Sequence, residues 1–375
     1  MNTIIDLNKL DKSNWQSFTF EQIATKISKM VQPSEAGVDV YVGLEHIDAK
    51  DIHIRRKGIP AVVKGGKLRC SSGDVIFGKR RAYQRKAAIV DFEGICSAHA
   101  FVFRAIPEVI EPKLFPFFLH SDQFMHRMID ISVGGLSPTI NWGDLKHQEF
   151  LLPPKEQQAK IAELLWAMDD VTQEDKNLYK SIDTLFKTMV KSISQDNLQQ
   201  KKYNKLKDVA NILDNLRKPL NASQRNTMKG DIPYYGANGL VDQINEFIFD
   251  ESLVLIAEDG GGFKEFFSKE IAYKVKGKSW VNNHAHVLSP KNSTLTTDWL
   301  FYSLVHKNIL KYITGTTRLK LNKSELEKIT VWMPDKDLMN KLTKEIKMLE
   351  DSRVKIGLKL SASEALQKSL INEIF

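Results

Sequence analysis

Lys79-Arg80-Arg81-Ala82-Tyr83-Gln84-Arg85-Lys86 is the densest basic cluster in the chain. Cations of this kind neutralise phosphate, whereas base edges are read by Arg, Asn, Gln, Ser or Thr on segments able to enter a major groove. By residue type and loop placement, the candidates for nucleic-acid contact in the first half are Lys79, Arg80, Arg81, Tyr83, Gln84 and Arg85, followed by Ser137, Thr139 and Asn141. In the second half they are Tyr234, Tyr235, Asn238, Lys264, Asn282, Asn283, Thr316, Thr317, Arg318 and Lys320. The bland assignment for each is a solvated surface charge or a turn residue. The paired positions of the loops Ser137–Asn141 and Thr316–Asn322, each near the end of one half, favour those loops over the rest.

Groups for bond-making chemistry are missing. An adenine methyltransferase needs a polar-Pro-Pro-aromatic turn for the amino group of its base, and the one Pro-Pro here, Leu152-Pro153-Pro154-Lys155, has neither flank. There is no Gly-x-Gly-x-x-Gly between a strand and a helix and no phosphate-loop lysine motif. Glu258-Asp259-Gly260-Gly261-Gly262-Phe263 is glycine-rich but reads as a mobile loop. Glu108, Glu111 and Lys113 mimic a nuclease set, yet they are too close for adjacent strands and Pro112 would break one. His284 and His286 lack the Cys or carboxylate companions of a metal site, so one core side chain and one on a DNA face is the simpler reading. No catalytic residue, metal or cofactor is expected in the chain.

The composition agrees. The formal net charge is +8 over 375 residues, with 42% hydrophobic and 27% charged residues, an ordinary globular balance with a basic excess. Nucleic acid is the leading partner class; an anionic membrane surface or an acidic protein is the alternative. Cys70 and Cys96 form neither a disulfide framework nor a zinc spacing, which suits a reducing cytoplasm. No signal peptide and no apolar run approaching the ~18 residues of a membrane span is present.

The elements that must position these residues fall into two modules and two long helices. Trp15 to Met30 holds a helical pattern, with Phe20, Ile23, Ala24 and Ile27 on one face. Val38 to Phe103 turns to strands, among them Val38–Val42 and Val75–Phe77; Pro112 to Ile131 reads as helix, and Phe150–Leu152 as a short strand. From Pro153-Pro154, Ile161, Leu164, Met168, Val171, Leu178, Ile182, Leu185 and Met189 recur at steps of three and four, interrupted by Asp175. That period predicts a coiled-coil seam on a helix of about 40 residues, a spacer of roughly 60 Å.

The sequence then begins again. Phe20-Glu21-Gln22-Ile23-Ala24 is echoed by Leu206-Lys207-Asp208-Val209-Ala210, Val75-Ile76 by Val254-Leu255, and Cys96 to Ala100 by Val281 to Ala285. Gly134, Asn141, Leu145 and Pro153 return as Gly315, Asn322, Leu326 and Pro334, at a common offset of 181 residues. A second long helix, Asp337 to Phe375, carries the seam Leu342, Ile346, Leu349, Ile356, Leu360, Leu370 and Ile374, with Gly357 as a weak point of roughly 1 kcal/mol. The expected domains are 1–152, a spacer helix 153–200, 201–334, and a second spacer helix 335–375. The fold class is α/β (α+β): two pseudo-repeated modules, each followed by a long amphipathic helix that must bury its stripe. Periodicity does not choose between parallel and antiparallel pairing.

These residues resemble the DNA specificity subunit of type I restriction–modification systems. The resemblance is carried by Leu152-Pro153-Pro154-Lys155-Glu156-Gln157-Gln158-Ala159-Lys160-Ile161-Ala162, by Ile232 to Gly239, by Trp280 to His286, and by the duplicated layout across nearly the whole chain. The second helix departs from it, opening Met333-Pro334-Asp335 without the Pro-Pro and Glu-Gln. The resemblance implies a non-catalytic, prokaryotic DNA reader with two target recognition domains held apart by antiparallel helices, each reading half of a gapped duplex target. It implies two modification subunits that methylate adenine N6 with S-adenosylmethionine, and restriction subunits that cut DNA using ATP and Mg²⁺; these cofactors belong to the partners. Partner contact is assigned to Glu156, Gln157, Ile161, Leu165, Leu342 and Ile346. Two other classes compete: a degenerate or fused methyltransferase or nuclease, which needs a further cofactor domain, and a protein-only coiled-coil scaffold, against which the basic charge argues.

Overall fold

Thr19, Thr25 and Ile27 are β-branched and favour extended backbone, and the segment expected to be one helix is strand, single turn, strand. The computed structural model describes residues 12–194 and 202–375. In it Gln16–Thr19 is a strand, Phe20–Ile23 one helical turn, and Ala24–Ile27 a strand. The turn is closed by Gln22, whose Oε1 accepts from the Thr19 N–H at 2.8 Å. A few apolar residues at helical spacing could not reveal this, because the strand partners, Glu149–Leu152 and Ala100–Ala105, lie far along the chain. The helix expected over Pro112 to Ile131 is likewise two, Phe115–His120 and Asp122–Asp130, separated at Ser121, whose Oγ caps the second.

The chain divides into two compact units, residues 1–176 with 358–375, and residues 177–357. In the first, an antiparallel sheet has the order Ala24–Ile27, Ala100–Ala105, Val75–Gly78, Ala87–Ile89. A second sheet centres on Gly94–Cys96, flanked by Lys67–Cys70 antiparallel and Tyr41–Val42 parallel. An aromatic core of Phe20, Phe77, Phe103, Phe118, Phe124 and Phe150 lies beneath, with Phe20 and Phe103 edge to face at 5.0 Å.

The second unit repeats this topology. Its main sheet runs Ala210–Ile212, Ala285–Pro290, Leu253–Ala257, Ala272–Val275, all antiparallel. Its second sheet centres on Lys278–Val281, between Phe249–Asp250 antiparallel and Lys229–Gly236 parallel. The sequence echoes therefore occupy equivalent places. Val75-Ile76 and Val254-Leu255 lie in the third strand of each main sheet, and Cys96 to Ala100 and Val281 to Ala285 are the corresponding crossings between sheets.

The two long helices are Lys155–Ser194 and Lys336–Ile374. The first starts where predicted, and Gln158, 1% exposed, fixes its start: its Nε2 donates to the Pro153 and Val109 carbonyls and its Oε1 accepts from the Glu111 N–H. In the first unit Ile161 and Leu165 share a core with Leu370 and Ile374, and Lys359 pairs with Asp175 at 2.9 Å. In the second, Phe186 and Val190 share a core with Met339 and Ile346, and Arg353 pairs with Asp183 at 3.2 Å. Early residues of one helix meet late residues of the other in both units, so the pairing is antiparallel. Gly357 stays helical beside the Tyr179 ring.

The seam on the central helix needs correction. Leu164, Val171, Leu178 and Leu185 are 37%, 46%, 46% and 50% exposed. The buried stripe instead includes Ile161, Leu165, Asp169, Thr172, Asp175, Phe186 and Val190, and its middle is polar because His53 takes Asp169 at 2.6 Å and Lys359 takes Asp175. Apolar residues line two faces of this helix, and periodicity alone cannot say which meets its partner. On the C-terminal helix the expected seam residues are buried or half-buried. Among the described residues no helix is long and apolar enough to cross a membrane.

Candidate nucleic-acid interface

In the first unit the buried strand Val75–Gly78 runs straight into the basic cluster. A short turn, Ala82–Gln84, follows, with Arg81 and Arg85 at its two ends in the left-handed region, φ 57° and 51°. That conformation is unfavourable for residues with a Cβ. Here it is fixed by burial of Ala82, 2% exposed, and by the Arg81 N–H donating to the Pro138 carbonyl at 2.7 Å. The loop Gly134–Asn141 closes on the same strand end. Ile140 N–H donates to Lys79 O at 2.9 Å, Arg80 bridges Thr139, and Arg81 Nε donates to Ser137 Oγ at 3.2 Å. Two segments of the chain thus form one surface bearing Lys79, Arg80, Arg81, Ser137 and Thr139. Burial first, and then Lys26, hold the Lys79 ammonium below the ordinary lysine range. Its Nζ sits 5.3 Å from the Phe101 ring centre. Arg80, Arg81 and Tyr83 are exposed, Gln84 is half-buried, and Asn141 precedes the helical turn Trp142–Leu145.

Arg85 does not belong to that surface. Its guanidinium is bound to Asp122 at 2.5 Å and is 15% exposed, so it ties the turn to the helix Asp122–Asp130. Leu136, absent from the candidates, stands at the tip of the loop at 96% exposure. A glycine pair ahead of an apolar residue is its only sequence signal, and an apolar tip of this kind suits a thymine methyl.

The second unit builds the same junction. Leu253–Ala257 runs into Glu258 and Asp259; Leu321 N–H donates to Glu258 O at 2.7 Å and Asp259 bridges Lys320. Arg318 lies 3.1 Å from Asp259, which also meets His284 Nδ1 at 2.9 Å. Lys320 lies 3.2 Å from Glu258, which also holds Arg217 at 2.8 Å. A concavity of about 360 Å³ beside this network is lined by Gly236, Asn238, Asp259, Asn282, His284 and Arg318. Asn238 Nδ2 donates to Gly260 O at 3.1 Å, and Asn282 Oδ1 accepts from the His284 N–H at 2.8 Å. Lys264, Asn283, Thr316 and Thr317 are exposed. Asn238, Asn282, Arg318 and Lys320 thus gather around this junction, whereas Lys264 lies apart in the short turn Phe263–Glu265 and the two tyrosines do not join them. Tyr234 is 1% exposed, packed with Ile244 and Trp280, and its hydroxyl accepts from the Leu220 N–H at 3.0 Å; it is a core residue, not a base reader. Tyr235 is half-buried 5.9 Å from Tyr273, and burial pushes its hydroxyl pKa up.

Of the paired histidines, His286 is 1% exposed and lies between Asp214 and the Leu321 carbonyl, while His284 faces the concavity. Asp214, Glu258 and His286 present ligand atoms within 4.8 Å of one another, the spacing of a cation site. Arg217 already brings a guanidinium to both carboxylates.

Four of the positions assigned to partner contact also change. Ile161, Leu165 and Ile346 are fully buried and Leu342 is half-buried, all within the cores just described; Glu156 is exposed and Gln157 half-buried.

A family model, the type I restriction modification DNA specificity domain, matches residues 12–183 and again 199–348. The chain is 37% identical over 139 residues to a putative type I restriction enzyme specificity subunit of Haemophilus influenzae, covering 37% of this chain and 34% of the relative. It is 26% identical over 176 residues to the type I restriction enzyme EcoDI specificity subunit of Escherichia coli, covering 44% of this chain and 38% of the relative. The matches thus span little more than a third of either relative's length. The S subunit of a type I restriction–modification system from M. genitalium has the same fold, with a TM-score of 0.67 at 18% identity over 98% of both chains.

Proposed function

The chain belongs to the type I restriction–modification DNA specificity family, and from that premise we propose that it is the non-catalytic, sequence-reading subunit of such a complex. Each module would read one half of a bipartite, gapped duplex target. The observation that carries this is the repeated junction, in which a buried strand delivers charged residues to a loop from the end of the module. Exposed cations supply phosphate attraction, and Arg, Asn, Ser and Thr supply donors for base edges.

The long helices would recruit two modification subunits, which bring S-adenosylmethionine for methylation of adenine N6. Restriction subunits would bring the ATP- and Mg²⁺-dependent cutting activity. Support for a docking role comes from Leu164, Val171, Leu178 and Leu185, apolar, exposed and seven residues apart. Stripes at that interval take a partner helix. The proposed setting is the cytoplasm of a prokaryotic cell. Gel-shift assays on the full chain with its cognate modification subunit, together with mapping of methylated adenines in the host genome, test this. One gapped motif, bound selectively and methylated in the genome, is expected. Equal affinity for all duplexes, or binding to protein alone, would overturn it.

A further inference from the structure

The two modules place opposite charges at the same position. The equivalence is set by backbone: Ile140 donates to Lys79 O as Leu321 donates to Glu258 O, and Arg80 bridges Thr139 as Asp259 bridges Lys320. The first module therefore has Lys79 and Arg80 where the second has Glu258 and Asp259. The facing loop carries neutral Ser137 and Thr139 in the first module, and Arg318 and Lys320 in the second.

The cations on these two surfaces differ in electrostatic state. Among the described residues, neither Arg80 nor Arg81 lies within ion-pair distance of a carboxylate, and both are exposed. In the second module the cations Arg217, Arg318 and Lys320 are matched by Asp214, Glu258 and Asp259. An unpaired cation at a phosphate releases a counterion, giving affinity that falls with salt. A cation already neutralised by a carboxylate contributes little to that. It keeps its hydrogen-bond donors, however: a guanidinium has five, and a single carboxylate contact leaves a face free. Arg318 is 68% exposed while Asp259 is 17% exposed, so the carboxylate anchors and the guanidinium presents.

We propose that the two half-sites are held by different forces: Arg80 and Arg81 grip phosphates, whereas Arg318 reads a guanine edge, with Asp259 as its positioning residue. Guanine fits because N7 and O6 accept two parallel donors. This rests on the DNA-reading function proposed above.

The test uses the full chain with its cognate modification subunit and a randomised duplex library. Selection by the wild type defines both half-sites, and affinity is then measured against NaCl on matched and single-mismatch duplexes. R80A/R81A is expected to lower the log–log salt slope by about 1.8, since each phosphate contact contributes about 0.9, and to weaken all duplexes alike. R318A is expected to leave the slope nearly unchanged and to remove roughly 10- to 100-fold discrimination at one guanine. R318K, which keeps the charge but not the fork, should lose the same discrimination. D259N, which frees the arginine, should steepen the slope by about 0.9 and blur that guanine. A uniform loss with a shallower slope in R318A, or intact discrimination in D259N, would overturn the division of labour while leaving the DNA-reading function standing. No enriched sequence with the wild type would overturn both.

Discussion

Tyr234 sits in a segment that carries the family resemblance and is a candidate for DNA contact by residue type and loop placement. Its hydroxyl is instead committed to the Leu220 N–H, in the small core it shares with Ile244 and Trp280. Tyr234→Phe should therefore cost about 1 kcal/mol of stability, the value of a buried hydrogen bond, and leave target preference unchanged; thermal unfolding and binding to matched and mismatched duplexes check both. Asp214 makes a pH-dependent contribution. Burial pushes its pKa up, but the His286 hydrogen bond and charge, the Val287 N–H and Arg217 outweigh this and hold it below the ordinary aspartate value. A carboxylate depressed in the folded state stabilises the fold above its unfolded pKa, about 3.9, and that stabilisation is lost as pH falls through the lower folded value. Melting temperature measured from about pH 5 down to 2 should drop for the wild type, and Asp214→Asn should flatten that part of the curve. An unchanged acid slope in the variant would refute the assignment.

At the level of elements, the central helix carries two stripes. One is closed by the modules and the C-terminal helix and tolerates Asp169 and Asp175 because His53 and Lys359 meet them. The other, Leu164 to Leu185, is exposed and free to take a partner. Val171→Asp and Leu178→Asp should each leave the fold within about 0.5 kcal/mol, as exposed substitutions do. Together they should weaken capture of the modification subunit by about 2 kcal/mol or more, roughly thirtyfold, if the stripe is the anchor of that interface. Co-purification and unfolding curves are the measurements; retained capture would move the docking face elsewhere.

At the scale of the whole molecule, one topology is used twice, and each compact unit draws on both long helices. The sequence carries neither the methyltransferase turn nor the nucleotide loops, and the proposed function assigns that chemistry to partner subunits. The purified chain should give no methylation with S-adenosylmethionine and no cleavage with ATP and Mg²⁺, and both activities should follow the added partner subunits. Turnover that persists in the chain at high purity would contradict a non-catalytic subunit.

Features written locally were legible in the sequence. The duplication, the helix start at Pro153-Pro154, the strands read at Val75–Phe77 and Phe150–Leu152 and the basic cluster each rest on neighbouring residues or on a constant offset. Those signals need no knowledge of what packs against them. What tertiary structure alone decided are choices made by distant partners. Asp122 draws Arg85 inward and leaves Arg81 outside; Asp259 and Glu258 neutralise Arg318 and Lys320; the C-terminal helix selects which stripe of the central helix is buried. In each case the residue type is the same on either outcome. The deciding term is a carboxylate or an apolar surface from another part of the chain, which periodicity and composition do not encode.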